Sequence, residues 1–210
     1  MSARLTTNDR GVVTGNTYDK YGSSNPVVRR LMKGFHRELD SLFAQASPAS
    51  LLDVGCGEGI ITAAWAPQVA PGRTVGVDLD DPLLRQEWES RAAPNLEFRT
   101  MQAERLEFAD GEFEMVSAIE VLEHVRDPWQ VLAEMSRCSS RWLLLSVPRE
   151  PIWRVTNMAR GAYWSSLGNT PGHLNHWSSR AFVSLLGQYG TVVAVRRPFP
   201  WTMALVRTDG

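Results

Sequence analysis

The sequence predicts an α/β fold with a mostly parallel sheet, and three observations predict it. From Ala49 to Val147 short apolar runs alternate with helical stretches, the rhythm of strand–helix–strand units. Three alternate glycines, Gly55, Gly57 and Gly59, fall where the first strand should meet its helix. The last two apolar runs, TVVAVRR and WTMALVRT, are separated only by Pro198-Phe199-Pro200, too short a link for a parallel crossover, so this pair should be antiparallel.

The elements follow in order. Asn25-Pro26 reads as an N-cap with proline at the first helical position, and Val28, Leu31, Met32, Phe35, Leu39 and Leu42 continue at helical spacing. ASLLDV is a strand, and ITAAWA a helix that Pro67 should end. RTVGVD is the second strand, followed by a helix from Asp81-Pro82. LEFRTM and FEMVSAI come next, then a helix from Asp127-Pro128, and RWLLLSV closes the parallel set. Residues 149–178 have no strand character, hold three tryptophans and suggest a short helix from Ile152 to Tyr163. One domain is expected, divided into a leader and helix (1–47), a ligand-binding core (48–148), a cap (149–178) and a final helix with a β-hairpin (179–210).

Composition narrows the function classes. The chain has 210 residues, 43% of them hydrophobic, enough for one well-buried core. Its 22 basic residues balance 23 acidic ones, so no overall field draws it to nucleic acid or an anionic membrane. No apolar run is long enough to span a bilayer and no leader pattern precedes the domain. Cys56 and Cys138 are too few and too scattered for a disulfide framework or a zinc site. A cytoplasmic protein without nucleic-acid partners or stable membrane insertion, monomer or homodimer, is expected.

The glycine loop carries the chemistry. In Asp53-Val54-Gly55-Cys56-Gly57-Glu58-Gly59 small residues let the backbone pass close to a ligand, and the following helix offers unpaired N–H groups to a carboxylate. The G-x-G-x-G spacing differs from the G-x-G-x-x-G of a dinucleotide loop. Asp53 suits a cation such as an α-amino group rather than a pyrophosphate. Asp78 ends the second strand, where this topology places a carboxylate for two ribose hydroxyls. A tight turn and a helix cap are the plainer alternatives for these features.

Four motifs in order, Val54-Gly55-Cys56-Gly57-Glu58-Gly59, Val75-Gly76-Val77-Asp78, the run from Gln102 to Phe108, and Glu120-Val121-Leu122-Glu123-His124-Val125, resemble the class I S-adenosylmethionine-dependent methyltransferases. The chain is most similar to small-molecule enzymes of the ubiquinone-biosynthesis O-methyltransferase type. The resemblance implies a Rossmann-like, seven-stranded, mostly parallel sheet with an antiparallel last strand and helices on both faces. It implies S-adenosyl-L-methionine as cofactor, with Asp53, Gly55, Cys56, Gly57 and Gly59 around the methionine moiety, Asp78 at the ribose and Leu79 against the adenine. Gln102 and Ala103 would face the adenine amine, and Glu120 would open the segment beside the sulfonium. The chain departs from the family at Gln102, where a carboxylate is usual, and lacks the Pro-Gly-Gly turn before the fifth strand.

The acceptor side is less determined. His124, after the fourth strand, can serve as a general base or orient its loop by a hydrogen bond. His173 and His176 approach from the opposite wall, where in-line geometry puts a base. Magnesium favours clustered carboxylate oxygens, and no such cluster accompanies these histidines, so no metal is expected. Ile152, Val155, Met158 and Ala159 share a helical face, and with Trp153, Tyr163 and Trp164 they would wall a pocket for an aromatic or lipid-like small-molecule acceptor. Arg149, Arg154 and Arg160 would meet an acidic acceptor or solvent. Tyr18 and Tyr21 would close over the donor. Methylation at oxygen is the first expectation; transfer to nitrogen, sulfur or carbon and a catalytically silent donor-binding partner protein are the alternatives.

Overall fold

The computed structural model describes residues 6–7, 13–14, 25–159, 161 and 163–208. Two short strands, β1 (Thr6–Thr7) and β2 (Val13–Thr14), pair antiparallel apart from the main sheet. The long helix α1 (Pro26–Ala46) begins where Asn25 accepts a hydrogen bond from Val27 N–H. It ends at Ser47, which turns left-handed and returns its N–H to the Phe43 carbonyl. Its apolar stripe, Met32, Phe35, Leu39, Leu42 and Phe43, is buried.

The seven-stranded sheet runs β5-β4-β3-β6-β7-β9-β8, comprising β3 (Leu51–Val54), β4 (Thr74–Asp78), β5 (Leu96–Thr100), β6 (Phe113–Ile119), β7 (Ser139–Pro148), β8 (Thr191–Arg196) and β9 (Trp201–Arg207). The strands β5, β4, β3, β6 and β7 pair parallel. Only β9, inserted between β7 and β8, runs against both neighbours, which is the antiparallel last strand expected. Alternate residues of the central strands point to opposite buried layers: Leu52, Leu143, Leu145 and Val206 to one, Leu51, Leu144 and Leu205 to the other. The first layer is closed by α4 (Pro128–Cys138) and α6 (Ser179–Leu186), the second by α1 and α2 (Ile60–Val69). Burial on both faces explains why these strands read as continuous apolar runs.

Two boundaries differ from expectation. Pro67 predicts an end to α2, yet the helix runs on to Val69, with Ala70 N–H bonded to the Ala66 carbonyl. The buried face of Trp65, Ala66 and Val69 outweighs the one hydrogen bond proline removes. The cap helix α5 spans Ile152–Ala159 and not as far as Tyr163; Gly161 and Tyr163 both have positive φ, and a 3₁₀ turn occupies Trp164–Ser166. The remaining helix, α3 (Pro82–Glu89), is capped by Asp81, which accepts from Leu83 N–H.

Chain order places the ligand crevice. From β3 the chain steps outward to β4 and β5, then returns to β6 on the other side of β3. Such a reversal leaves a gap at the carboxyl ends of the strands. Because α1 fastens the β7–β9 half of the sheet, Leu39→Ala is expected to lower stability by about 2–5 kcal/mol. The check is a urea midpoint that falls with an unchanged slope.

Candidate functional site

A cavity of about 990 Å³ opens over the carboxyl ends of β3, β4 and β6, at the upper end of the roughly 300–1,000 Å³ typical of ligand sites. Every donor-side residue singled out from the sequence except Gly59 lines it: Asp53, Gly55, Cys56, Gly57, Asp78, Leu79, Gln102, Ala103 and Glu120. Gly59 instead forms the N-cap of α2 behind the loop, in a left-handed conformation at φ 74°.

The loop is shaped from both sides. A Cβ on Gly55 would stand 2.5 Å from Val121, and one on Gly59 2.5 Å from Phe98, while one on Gly57 would meet nothing within 4 Å. Gly55 and Gly59 therefore make room for the protein, and Gly57 leaves the cavity floor bare. Gly55 and Cys56 N–H both bond the Val77 carbonyl, and Trp88 Nε1–H donates to Gly57 O at 2.8 Å. Trp88 in turn stacks on Phe98 at 5.3 Å. This bracket is invisible in the motif, because Trp88 and Phe98 belong to later elements. With Gly59 at its N-cap, α2 has no side-chain cap, so its first N–H groups are available to an anion.

Two carboxylates lie beneath the loop. Asp78 accepts Gly57 N–H on one oxygen and Leu79 N–H on the other, both at 2.7 Å, leaving a lone pair on each for a ligand. Burial pushes its pKa up, and these N–H bonds oppose the rise. Asp53 was expected to meet a cation. Its oxygens are taken first by hydroxyls, Thr62 at 2.6 Å and Ser117 at 2.7 Å, so it ties β3 to α2 and β6 at the cavity floor. Burial raises its pKa from 3.8 to about 6. Desolvation also lifts the Cys56 thiol well above its ordinary value, which keeps it neutral.

Glu120, at the end of β6, takes φ 61°, costing about 1–2 kcal/mol for a residue with a Cβ. Ser146 Oγ donates to one carboxylate oxygen at 3.0 Å and Trp201 Nε1–H to the other at 2.6 Å. Such strain, overdetermined by neighbours, is typical of functional positions.

The opposite wall departs from expectation in several places. In α5 the cavity face is Trp153, Thr156 and Asn157. Val155, on the face predicted to form the wall, is 55% exposed. Trp153 is turned inward because its Nε1–H donates to Thr170 Oγ1 at 2.9 Å and its ring packs against Trp201 and His173. Trp164 is 65% exposed and outside the cavity, whereas Tyr163 lines it. Arg149 does not line it either: its backbone joins β9 through the Pro200 carbonyl. Arg154 bonds the Leu167 carbonyl. His176 is exposed and bonded to Asn169 Oδ1 at 2.7 Å, away from the cavity. Tyr18, Tyr21 and Arg160 lie outside the described residues.

His124 and His173 do meet, edge to face at 4.9 Å, and Glu123 joins them, the three presenting ligand atoms within 4.8 Å of one another. A single carboxylate thus stands beside the two histidines, and not the carboxylate cluster that magnesium favours. His124 Nδ1 faces the Gly172 carbonyl at 3.1 Å, so it carries the proton there and Nε2 has the lone pair in the neutral ring.

Comparison with known proteins bears on the family and the fold. A family profile described as "Methyltransferase domain" matches residues 27–194. Ubiquinone biosynthesis O-methyltransferases of Methylococcus capsulatus and Pseudomonas fluorescens are 31% identical over 157 residues and 41% identical over 150. These alignments cover 66% and 62% of this chain, and 65% and 62% of those proteins, so the chain spans less than two thirds of their length. Among solved structures, magnesium protoporphyrin IX methyltransferase from Synechocystis, determined with bound SAH, superposes with TM-score 0.65 at 18% identity over 90% of each chain. A putative S-adenosylmethionine-dependent methyltransferase from Listeria monocytogenes gives 0.65 at 15%, over 85% of this chain and 98% of its own. Among the described residues no helix is long and apolar enough to cross a membrane.

The Asp53 pKa sets a pH dependence. An acid whose folded pKa is raised holds its proton in the folded state after the unfolded chain has lost it, so folding loses stability as pH rises from about 4 to about 6. The loss is on the order of 2–3 kcal/mol. Chemical denaturation across that range is expected to show a steeper loss of stability in the wild type than in Asp53→Asn, where Asp78 still contributes in this direction.

Proposed function

The chain belongs to the methyltransferase-domain family of class I S-adenosylmethionine-dependent enzymes, and from that premise we propose that it methylates a small aromatic or lipid-like acceptor at an oxygen atom. One observation carries this reading: the loop residues Gly55–Glu58, Asp78 and Glu120 open on the same cavity as Trp153, His124 and His173. Donor and acceptor can therefore meet without crossing the protein.

The residues fit such a donor. The uncapped start of α2 offers N–H groups to its carboxylate. Asp78 has acceptor capacity for ribose hydroxyls, and the bare floor at Gly57 admits the backbone-to-ligand contact. Gln102 and Ala103 border the cavity beyond Asp78, where an adenine would lie. When bound, the donor would supply a sulfonium methyl group for in-line transfer to the acceptor oxygen, with the demethylated thioether as leaving group.

The protein's contribution is then position and proton removal. Trp153 and Trp201 offer flat apolar surface to an acceptor ring or chain, and Glu120 and Val121 hold the strand end between the two ligands. The hydroxyl proton is lost at the cluster of Glu123, His124 and His173, on the side away from the glycine loop. The relatives named for ubiquinone biosynthesis support oxygen as the atom methylated and a ring-bearing, apolar acceptor.

Two substitutions separate the halves of this reading. Asp78→Ala should weaken calorimetric donor binding by about 1–3 kcal/mol. His173→Ala should keep donor affinity and lower kcat by roughly 10²–10⁴-fold. Unchanged donor affinity in the first variant, or full kcat in the second, would contradict the corresponding half.

A further inference from the structure

On the acceptor side of the cavity, Trp153 and Asn157 stand one turn apart on α5, so their side chains leave the same face of the helix. Both donate to one hydroxyl: Trp153 Nε1–H reaches Thr170 Oγ1 at 2.9 Å and Asn157 Nδ2 reaches it at 3.1 Å. A threonine oxygen has two lone pairs and one hydrogen, so with both lone pairs engaged Thr170 can act only as a donor toward a further group. Among the described residues nothing accepts from it. The other hydrogen of Asn157 Nδ2 goes to the Gly168 carbonyl at 2.8 Å, and a carbonyl can only accept, which fixes the orientation of the amide. Its Oδ1 receives no hydrogen bond from a described residue, yet it is not sealed from solvent. Asn157 and Thr170 are 3% and 7% exposed, and both line the cavity. The Thr170 carbonyl in turn accepts His173 N–H at 3.1 Å, which sets this pair beside the proton-accepting cluster.

We infer that Thr170 O–H and Asn157 Oδ1 form a polar clamp that selects acceptors carrying, besides the methylated oxygen, a neutral group able to accept and donate hydrogen bonds at once, of the hydroxyl or carboxamide class. Amide bond lengths place Oδ1 roughly 2.2 Å from Nδ2, hence no more than about 5.3 Å from Thr170 Oγ1. One hydroxyl oxygen spans such a gap with two hydrogen bonds of about 2.7–2.8 Å; a carboxamide does so with its oxygen and its nitrogen. An apolar substituent at this place would leave a buried donor and a buried acceptor unpaired, which binding disfavours strongly. A carboxylate fails for a different reason. It has no hydrogen for Asn157 Oδ1, and the described residues that line the cavity include Asp53, Glu58, Asp78, Glu104, Glu120 and Glu123 against one guanidinium, Arg126. The rings of Trp153, His173 and Trp201 pack beside the clamp and take the apolar body of such a molecule. Calling the occupant the acceptor rests on the function proposed above, whereas the preference of the clamp does not.

The test uses the full-length protein saturated with S-adenosylhomocysteine and a set of probes that differ in one group: benzamide, benzyl alcohol, toluene and benzoate. Occupancy is read from the Trp153 Nε1–H signal in heteronuclear NMR, assigned by its loss in Trp153→Phe. Benzamide and benzyl alcohol should bind at least about tenfold more tightly than toluene and benzoate. Thr170→Val, similar in shape but without the hydroxyl, should lower the affinity for benzamide by about tenfold and leave that for toluene unchanged, and Thr170→Ser should restore the preference. Circular dichroism checks folding; if Thr170→Val does not fold, the ranking of the probes in the wild type decides. A wild type that binds benzamide no more tightly than toluene, binding of neither included, would overturn the clamp. So would a Thr170→Val variant that weakens all the probes alike, which is the mark of a purely structural hydroxyl. Binding of S-adenosylhomocysteine to the wild type is measured first. Its absence would remove the methyltransferase reading, and a benzamide preference in the unliganded protein would leave the clamp standing.

Discussion

The site depends on the pair of hydrogen bonds that Asp78 accepts from Gly57 N–H and Leu79 N–H. They fasten the end of β4 to the middle of the loop that leaves β3, across the gap where the sheet order reverses. With that tie in place, Gly55 and Cys56 reach the Val77 carbonyl and Trp88 reaches Gly57 O. The loop is then fixed on three sides, with its fourth open to the cavity. The tie offsets the large conformational freedom that three glycines at positive φ give up on folding.

This construction has an electrostatic consequence. Two carboxylates, Asp53 and Asp78, are taken from water on the neighbouring strands β3 and β4, and burial raises both pKa values despite the hydroxyl and N–H donors around them. The donor hydrogen bonds offset only part of the desolvation. A cationic ligand in the cavity would favour the charged forms, so the loop is poised for a molecule bearing positive charge. A donor with both an ammonium and a sulfonium is of that kind. Glu120, strained and held by Ser146 and Trp201, extends the acidic border toward the acceptor side.

The sheet was legible because strands buried on both faces appear as unbroken apolar runs, and because the short Pro198–Pro200 link admits only a hairpin. The donor side was legible because it lies on consecutive strand ends, where spacing in sequence becomes adjacency in space. The cap was not. In α5 apolar residues occur on both faces, so periodicity alone does not say that Trp153 turns inward and Val155 outward; the hydrogen bond to Thr170 decides it. His173 and His176 look equivalent in sequence, but Asn169 holds His176 outside. Glu123 acquires meaning only when the 170–175 segment brings His173 against it, a contact no local pattern announces.

The central claim is that the tied glycine loop and Asp78 form the seat of the methyl donor, facing the wall of Trp153 and His173. The most direct measurement is a crystal structure of the protein with S-adenosylhomocysteine. The account predicts ribose hydroxyls within hydrogen-bonding distance of Asp78, the carboxylate at the start of α2, and the sulfur beside Glu120 and Val121 pointing toward Trp153. A ligand bound elsewhere, or one in the cavity with Asp78 making no contact to it, would contradict the account.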